Sequence, residues 1–133
     1  MTPTERGLEQ ARLVLKIGFG ATAFLAGLDK FFGVLATWEM YLAPWMESAL
    51  PFSSSTFFAV VGVVEMAAGL LVLSKWTRLG AWVVAAWLAA IALQLLTTGM
   101  FYDLAVRDLV MALGAFALVR LTEWSEARSA RAA

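Results

Sequence analysis

Four apolar runs, each long enough to cross a bilayer, constrain this chain more than any other feature. They are LVLKIGFGATAFLAGLDKFFGVL (13–35), TFFAVVGVVEMAAGLLVLS (56–74), LGAWVVAAWLAAIALQLLTTG (79–99) and DLAVRDLVMALGAFALVRL (103–121). A helix needs roughly 20 residues to cover about 30 Å of hydrocarbon. The strands of a membrane barrel would instead alternate in hydropathy over about ten residues. Ala, Leu and Gly fill these runs without alternation, so helices are expected. The expected fold is all-α, a transmembrane four-helix bundle forming a single integral membrane domain over residues 1–133.

Composition agrees. The chain is 62% hydrophobic and only 15% charged, with a mean hydropathy of +0.79. A water-soluble domain is nearer half apolar and a quarter charged, and this chain has too little polarity to clothe a wet surface. The formal net charge is zero, which gives a nucleic-acid partner no electrostatic hold. Cysteine and histidine are both absent, removing disulfides, thiolate chemistry, imidazole bases and the commonest zinc and haem ligands. Met66, Met100 and Met111 remain as axial haem donors, but Met in helix bundles is more often a gap-filler. The opening MTPTERGLEQARLVLK carries two Glu before the first run and does not read as a cleaved signal peptide.

The flanking charges orient the spans. Arg6, Arg12 and Lys16 precede or open the first, Lys75 and Arg78 fill the second link, and Arg120, Arg128 and Arg131 close or follow the fourth. The other side carries Glu39, Glu47 and Asp103 but no Lys or Arg in its loops. The positive-inside rule then puts both termini in the cytoplasm, as an even number of spans requires. The long connection 36–55 places Trp38, Leu42, Trp45 and Ala49 at helical spacing, with Pro44 breaking or starting a turn. It reads either as a short amphipathic segment on the outer surface or as an irregular loop with interfacial aromatics. Ser54 or Ser55 is the expected cap of the second span.

The polar residues inside the runs share a layer. Asp29 and Lys30 in the first span, Gln94 in the third, and Arg107 and Asp108 in the fourth all lie on the outer side of the midplane, within about 6–10 Å of it at 1.5 Å per residue. Glu65 sits near the centre of the second. An isolated charge at such a depth costs at least about 2.5–3.5 kcal/mol, so these groups are expected to turn inward and pair. Lys30 can neutralise Glu65 or Asp108, and Arg107 can reach Asp29 or Asp103. The adjacent Arg107 and Asp108 diverge by about 100° around the helix, so they are expected to meet different neighbours, making a junction in the fourth span. The layer has three readings: an ion-pair network that fixes helix register, a pocket for a polar headgroup such as a quinone ring, or a proton path through Glu65. Lys16 is expected to snorkel, and Trp87, near mid-span, to contact protein. Gly62 and Gly69 give the second span a small-residue face suited to close packing, as do Ala85/Ala86 and Ala89/Ala90 in the third.

Three stretches taken together, FLAGLDKFFG (24–33), VVEMAAGLLVLSKWTRLGAW (63–82) and VRDLVMALGAFALVRL (106–121), resemble the DoxX/DoxD-like family of small membrane proteins over about residues 12–121. Gly27 and Lys30, Glu65 and Gly69, and Arg107 and Asp108 fall on the family pattern. The resemblance implies a four-span bundle in the bacterial inner membrane that handles or positions a quinone. The founding relatives are membrane subunits of an archaeal thiosulfate:quinone oxidoreductase associated with a terminal quinol oxidase. Other relatives accompany oxidative-stress or thiol-redox proteins. This chain has no cysteine and no separate soluble domain for an anionic substrate, so an accessory role is expected rather than independent catalysis. The quinone-site candidates are Asp29, Lys30, Glu65, Gln94, Arg107 and Asp108, with no metal or covalent cofactor. The expected partners are membrane lipids, redox or other membrane proteins, and further copies of the chain. A non-catalytic assembly subunit is the alternative, and a small solute or proton permease is a third reading that needs an oligomer.

Overall fold

Thr2 opens the first helix: its hydroxyl accepts from the Glu5 amide at 3.1 Å, and Pro3 occupies the first helical position, where no amide is needed. In the computed structural model, which describes residues 1–133, this helix, α1, runs Pro3–Asp29. It therefore begins ten residues before the first apolar run and ends six before that run does. The stop is made by Asp29. Its carboxylate accepts the amides of Val34 (2.8 Å) and Leu35 (2.9 Å), drawing the chain into a loop through Gly33, whose φ of 70° suits glycine.

The connection that follows is built of two short helical pieces rather than an irregular loop. It is a single 3-10 turn, Trp38–Tyr41, and one short helix, α2 (Pro44–Ala49), with Pro44 at its first position. Leu42 and Ala43 between them are buried, while Trp45 faces outward. Helix α3 covers Ser54–Leu73, and its cap is Ser53 rather than Ser54 or Ser55: the Ser53 hydroxyl accepts from the Thr56 amide at 3.2 Å. Helix α4 covers Thr77–Leu96 and α5 Tyr102–Ala132. A tight turn joins α4 to α5 through Gly99 (φ 74°) and Phe101 (φ 60°). The Phe101 ring meets Tyr41 edge-on at 5.0 Å, which holds this otherwise unfavourable left-handed residue in place.

The four long helices form a closed ring in chain order, α1–α3–α4–α5, with α1 against α3 and α4 against α5 as the most extensive faces. There are no strands. Where α3, α4 and α5 meet, Val72, Ala81, Val84, Ala115, Leu118 and Val119 make the core, with Leu15 and Phe19 of α1 packed on it. The outside is apolar as well: only 22 of the 133 residues are buried, and large side chains such as Val14, Val60, Leu70, Leu93 and Leu113 point outward. Water would not tolerate such a coat, whereas hydrocarbon would. Three helices, α1, α3 and α4, are long and apolar enough to cross a membrane.

Packing of α1 on α3 runs backbone to backbone. Gly27 faces Gly62, and Gly20 faces Gly69, each pair seven residues from the next along its helix. A Cβ at Gly62 would stand 2.6 Å from the Gly27 carbonyl oxygen, and one at Gly69 2.6 Å from that of Gly20. Close approach of this kind gives van der Waals contact where burial from lipid supplies no hydrophobic gain. Beyond the level of the α3–α4 link, the first turns of α1 and the last turns of α5 continue as an antiparallel pair, tied by Arg128 and Glu5 at 3.3 Å. Both termini thus lie at one end of the bundle.

Gly62→Ala should lower stability by about 1–3 kcal/mol through forced separation of α1 and α3. Gly18→Ala, where nothing lies within 4 Å, should be neutral or gain about 0.5–1 kcal/mol of helix propensity. Unfolding of the purified protein by denaturing detergent measures both, and equal effects would contradict the glycine seam.

Candidate functional site

The site is built outward from Glu65, a carboxylate placed halfway along α3 with a side chain only 10% exposed. Helical side chains tilt toward their own N-terminus, so Glu65 leans toward the start of α3 and the connection before it. Two helices meet it there. Lys30, the residue that caps α1, donates from Nζ to Oε2 at 2.6 Å, its side chain 5% exposed. Trp87 of α4 donates from Nε1 to Oε1 at 3.0 Å. One carboxylate therefore joins three helices.

The network continues. The Lys30 ammonium lies over the Trp38 ring, 3.8 Å from its centroid, a cation–π contact made stronger by burial. Trp38 donates through Nε1 to Asp29 Oδ2 at 3.0 Å, and Asp29 holds the Val34 and Leu35 amides. Lys30 is thus sandwiched between a carboxylate and an indole face, and the chain of contacts runs from α4 to the outer loop without a gap.

The six residues expected in one layer separate into three groups. Asp29, Lys30 and Glu65 belong to this network. Gln94 belongs to a neighbouring clamp: its Oε1 accepts the Ala43 amide and its Nε2 donates to the Tyr41 carbonyl at 3.1 Å. Trp45 donates to Thr97 Oγ1 at 2.8 Å beside it, so the end of α4 holds the connection down. Arg107 and Asp108 stand apart. Arg107 is exposed, Asp108 is half-buried, and neither forms a salt bridge. The expected junction in α5, with Arg107 paired to Asp29 or Asp103, is not formed. The reason is geometric: both Asp29 oxygens are taken by the loop, and α5 packs on α4 and α1 but shares no extensive face with α3. Lys30 takes Glu65, not Asp108, as its partner.

Trp87 does contact protein, as its mid-span position suggests. Trp38 is the residue that sequence reasoning assigned elsewhere, to headgroup depth. Nine residues separate it from Asp29, and the turn that brings it back depends on Gly33 and the Asp29 cap, neither of which has a periodic signature.

A cavity of about 320 Å³ lies beside the network, between the end of α1, the 3-10 turn and the start of α3. Lys30, Phe31, Phe32 and Trp38 are in its wall, together with Thr37, Glu39 and Ser55. Its lining therefore combines aromatic rings and a cation with polar groups. No group of three or more carboxylates is gathered to hold a metal ion. Both Glu65 oxygens are engaged, so the carboxylate acts as a fixed counter-ion. Comparison with family models, curated proteins and solved structures finds no match, and the DoxX/DoxD-like resemblance rests on the three quoted stretches.

Glu65→Gln or Lys30→Met alone should cost about 3–5 kcal/mol, since each leaves a buried charge uncompensated or a polar group orphaned. The double variant Lys30→Met/Glu65→Leu should recover much of that loss. Detergent unfolding of the single and double variants provides the cycle, and strictly additive losses would show that the pair does not act as a unit.

Proposed function

We propose that this chain is a four-span protein of the bacterial inner membrane, of DoxX-like kind, that serves a quinone-linked redox system as an accessory subunit. The observation that carries the reading is the cavity beside Lys30. A buried ammonium beside aromatic rings offers a quinone what it needs: a flat apolar surface for the ring and a cation to donate toward a carbonyl oxygen. Lys30 has three N–H groups and gives one to Glu65, so donors remain for a ligand. Thr37 and Ser55 add hydroxyls to the lining. Arg107 and Asp108, which stand apart, are left out of this site.

The topology belongs to the same reading. Helix α5 exposes Val106, Val110 and Leu113 on the outside of the bundle, a face that suits lipid. Its charge-free stretch, residues 109–119, spans only about 16 Å at 1.5 Å per residue. Asp108 and Arg120 bound it, and Arg107 and Arg120 carry aliphatic arms long enough to bring their charges to an interface. With the basic residues gathered at the end that holds both termini, that end is cytoplasmic. Because the chain has no cysteine, single substitutions report topology cleanly. Ser129→Cys should react with an impermeant maleimide only after the membrane is opened from the cytoplasmic side, and Ser48→Cys in intact spheroplasts. The reverse pattern would invert the topology, and labelling of both from outside would remove the fourth span.

The second reading, a non-catalytic assembly subunit, is favoured by a specific observation: every oxygen of Glu65 and Asp29 already has a partner, so the network holds the helices together with no ligand. A short-chain quinone titrated against the tryptophan fluorescence of the purified protein separates the two. Quenching that saturates in the wild type and weakens about tenfold or more in Trp38→Leu and Lys30→Arg, but not in Arg107→Gln, supports the quinone site. Equal quenching in all four, with the variants folded, would leave only the assembly role.

A further inference from the structure

At the end of the bundle opposite Lys30, a second cavity, of about 350 Å³, opens where the paired ends of α1 and α5 part from α3 and α4; none of its lining residues is hydrophobic. Its cations are Arg12 and Lys16 from α1 and Lys75 from the α3–α4 link. Arg12 is held by Glu9, and the one carboxylate in the wall, Glu126, has Arg78 at 3.6 Å. Lys16 and Lys75 form no salt bridge. Two cations on different elements thus line one cavity without a salt-bridge partner, Lys75 lying 5.0 Å from the centroid of the Trp76 ring, and the wall holds a single carboxylate against three cations.

The other donors fit the same chemistry. Thr77 and Thr122, both buried, spend their hydroxyl protons on the carbonyls of Val72 (2.8 Å) and Leu118 (2.7 Å), so they close the floor rather than bind. Ser125 and Ser129 of α5 add hydroxyls to the lining. Thr77 also begins α4, whose cap residue Trp76 offers no side-chain acceptor, and the first-turn amides add positive potential to that side.

Depth narrows the ligand. Gly20 packs at the level of Gly69 and Leu73, so Lys16, one turn earlier in α1, is level with the end of α3. Hydrocarbon ends there and lipid phosphates begin. We infer that this cavity is a phosphate-anion site, filled by the phosphate of an anionic lipid headgroup or by a free phosphate anion. The lysines act as point charges on a tetrahedral, multiply accepting group, with the serine hydroxyls completing its shell. The inference shares the membrane-spanning reading with the proposed function but not the quinone cavity, so the two can fail separately.

The test uses the purified chain in a neutral detergent, titrated in parallel with phosphatidylglycerol, phosphatidylcholine and inorganic phosphate. Thermal unfolding gives the affinity, and native mass spectrometry counts retained lipid. Phosphatidylglycerol or inorganic phosphate should stabilise the wild type, and K16Q/K75Q should weaken that response by about 25-fold, about fivefold for each lysine. A response to phosphatidylglycerol alone assigns the site to lipid, and a response to inorganic phosphate shows that the free anion suffices. R6Q/R131Q removes the same charge outside the cavity and should change neither response. No response to either phosphate source, an equal response to phosphatidylcholine, or equal weakening by both double variants would overturn the inference.

Discussion

A carboxylate halfway along an apolar helix has to be compensated before the helix can pack. Glu65 forces this on α3, and the rest of that half of the bundle follows from how the cost is met. Its counter-ion comes from Lys30, so α1 must stop where Lys30 can lean inward. Its second partner is the Trp87 indole, so α4 must turn that face toward α3. The glycine seam makes the first of these possible. With side chains at positions 20, 27, 62 and 69, α1 would stand farther from α3 and the ammonium would be drawn away from the carboxylate. The seam and the ion pair are therefore one device: close backbones bring the charges together, and the charges fix which turn of α1 meets which turn of α3.

Much of the architecture was legible because hydrophobic length is a strong signal. The second and third apolar runs, 56–74 and 79–99, coincide with α3 and α4 to within two or three residues at each end. The first run misled at its outer end, since Phe31, Phe32, Val34 and Leu35 are as apolar as any helical residue there but belong to a loop held by Asp29. Hydropathy cannot distinguish an apolar helix from an apolar loop, and the stop is written in one aspartate and one glycine. The Lys30–Glu65 pair was legible as one of two options, because burying both charges leaves few arrangements. The role of Trp38 was not, because it depends on the path of that loop. Arg107 and Asp108 were misplaced for a different reason: equal depth in a membrane says nothing about which helices are neighbours around the ring.

The two ends of the bundle handle charge in opposite ways. At the end that holds Lys30, a few charged side chains are buried and matched within the protein, and the loop itself is folded onto Gln94 and Thr97. At the other end, charges are numerous, exposed and only partly matched, as in the 3.6 Å pair of Arg78 and Glu126, with exposed partners. Ion pairs of the second sort contribute little to stability and respond strongly to salt. The half around Glu65 thus carries the fixed geometry, and the half around the termini carries a field open to ions.

The pairing of α1 with α5 has a consequence in time. Contacts between α1 and α3, α3 and α4, and α4 and α5 join neighbours along the chain, but Glu5 meets Arg128, and Phe19 meets Gly114, only when nearly all of the polypeptide has been made. During synthesis, one flank of α1 must wait uncovered until the last helix arrives, so the ring closes as the final event of assembly. Whatever delays or diverts α5 leaves a three-helix intermediate of α1, α3 and α4, with α1 and α3 already locked by glycine contact and its fourth side open.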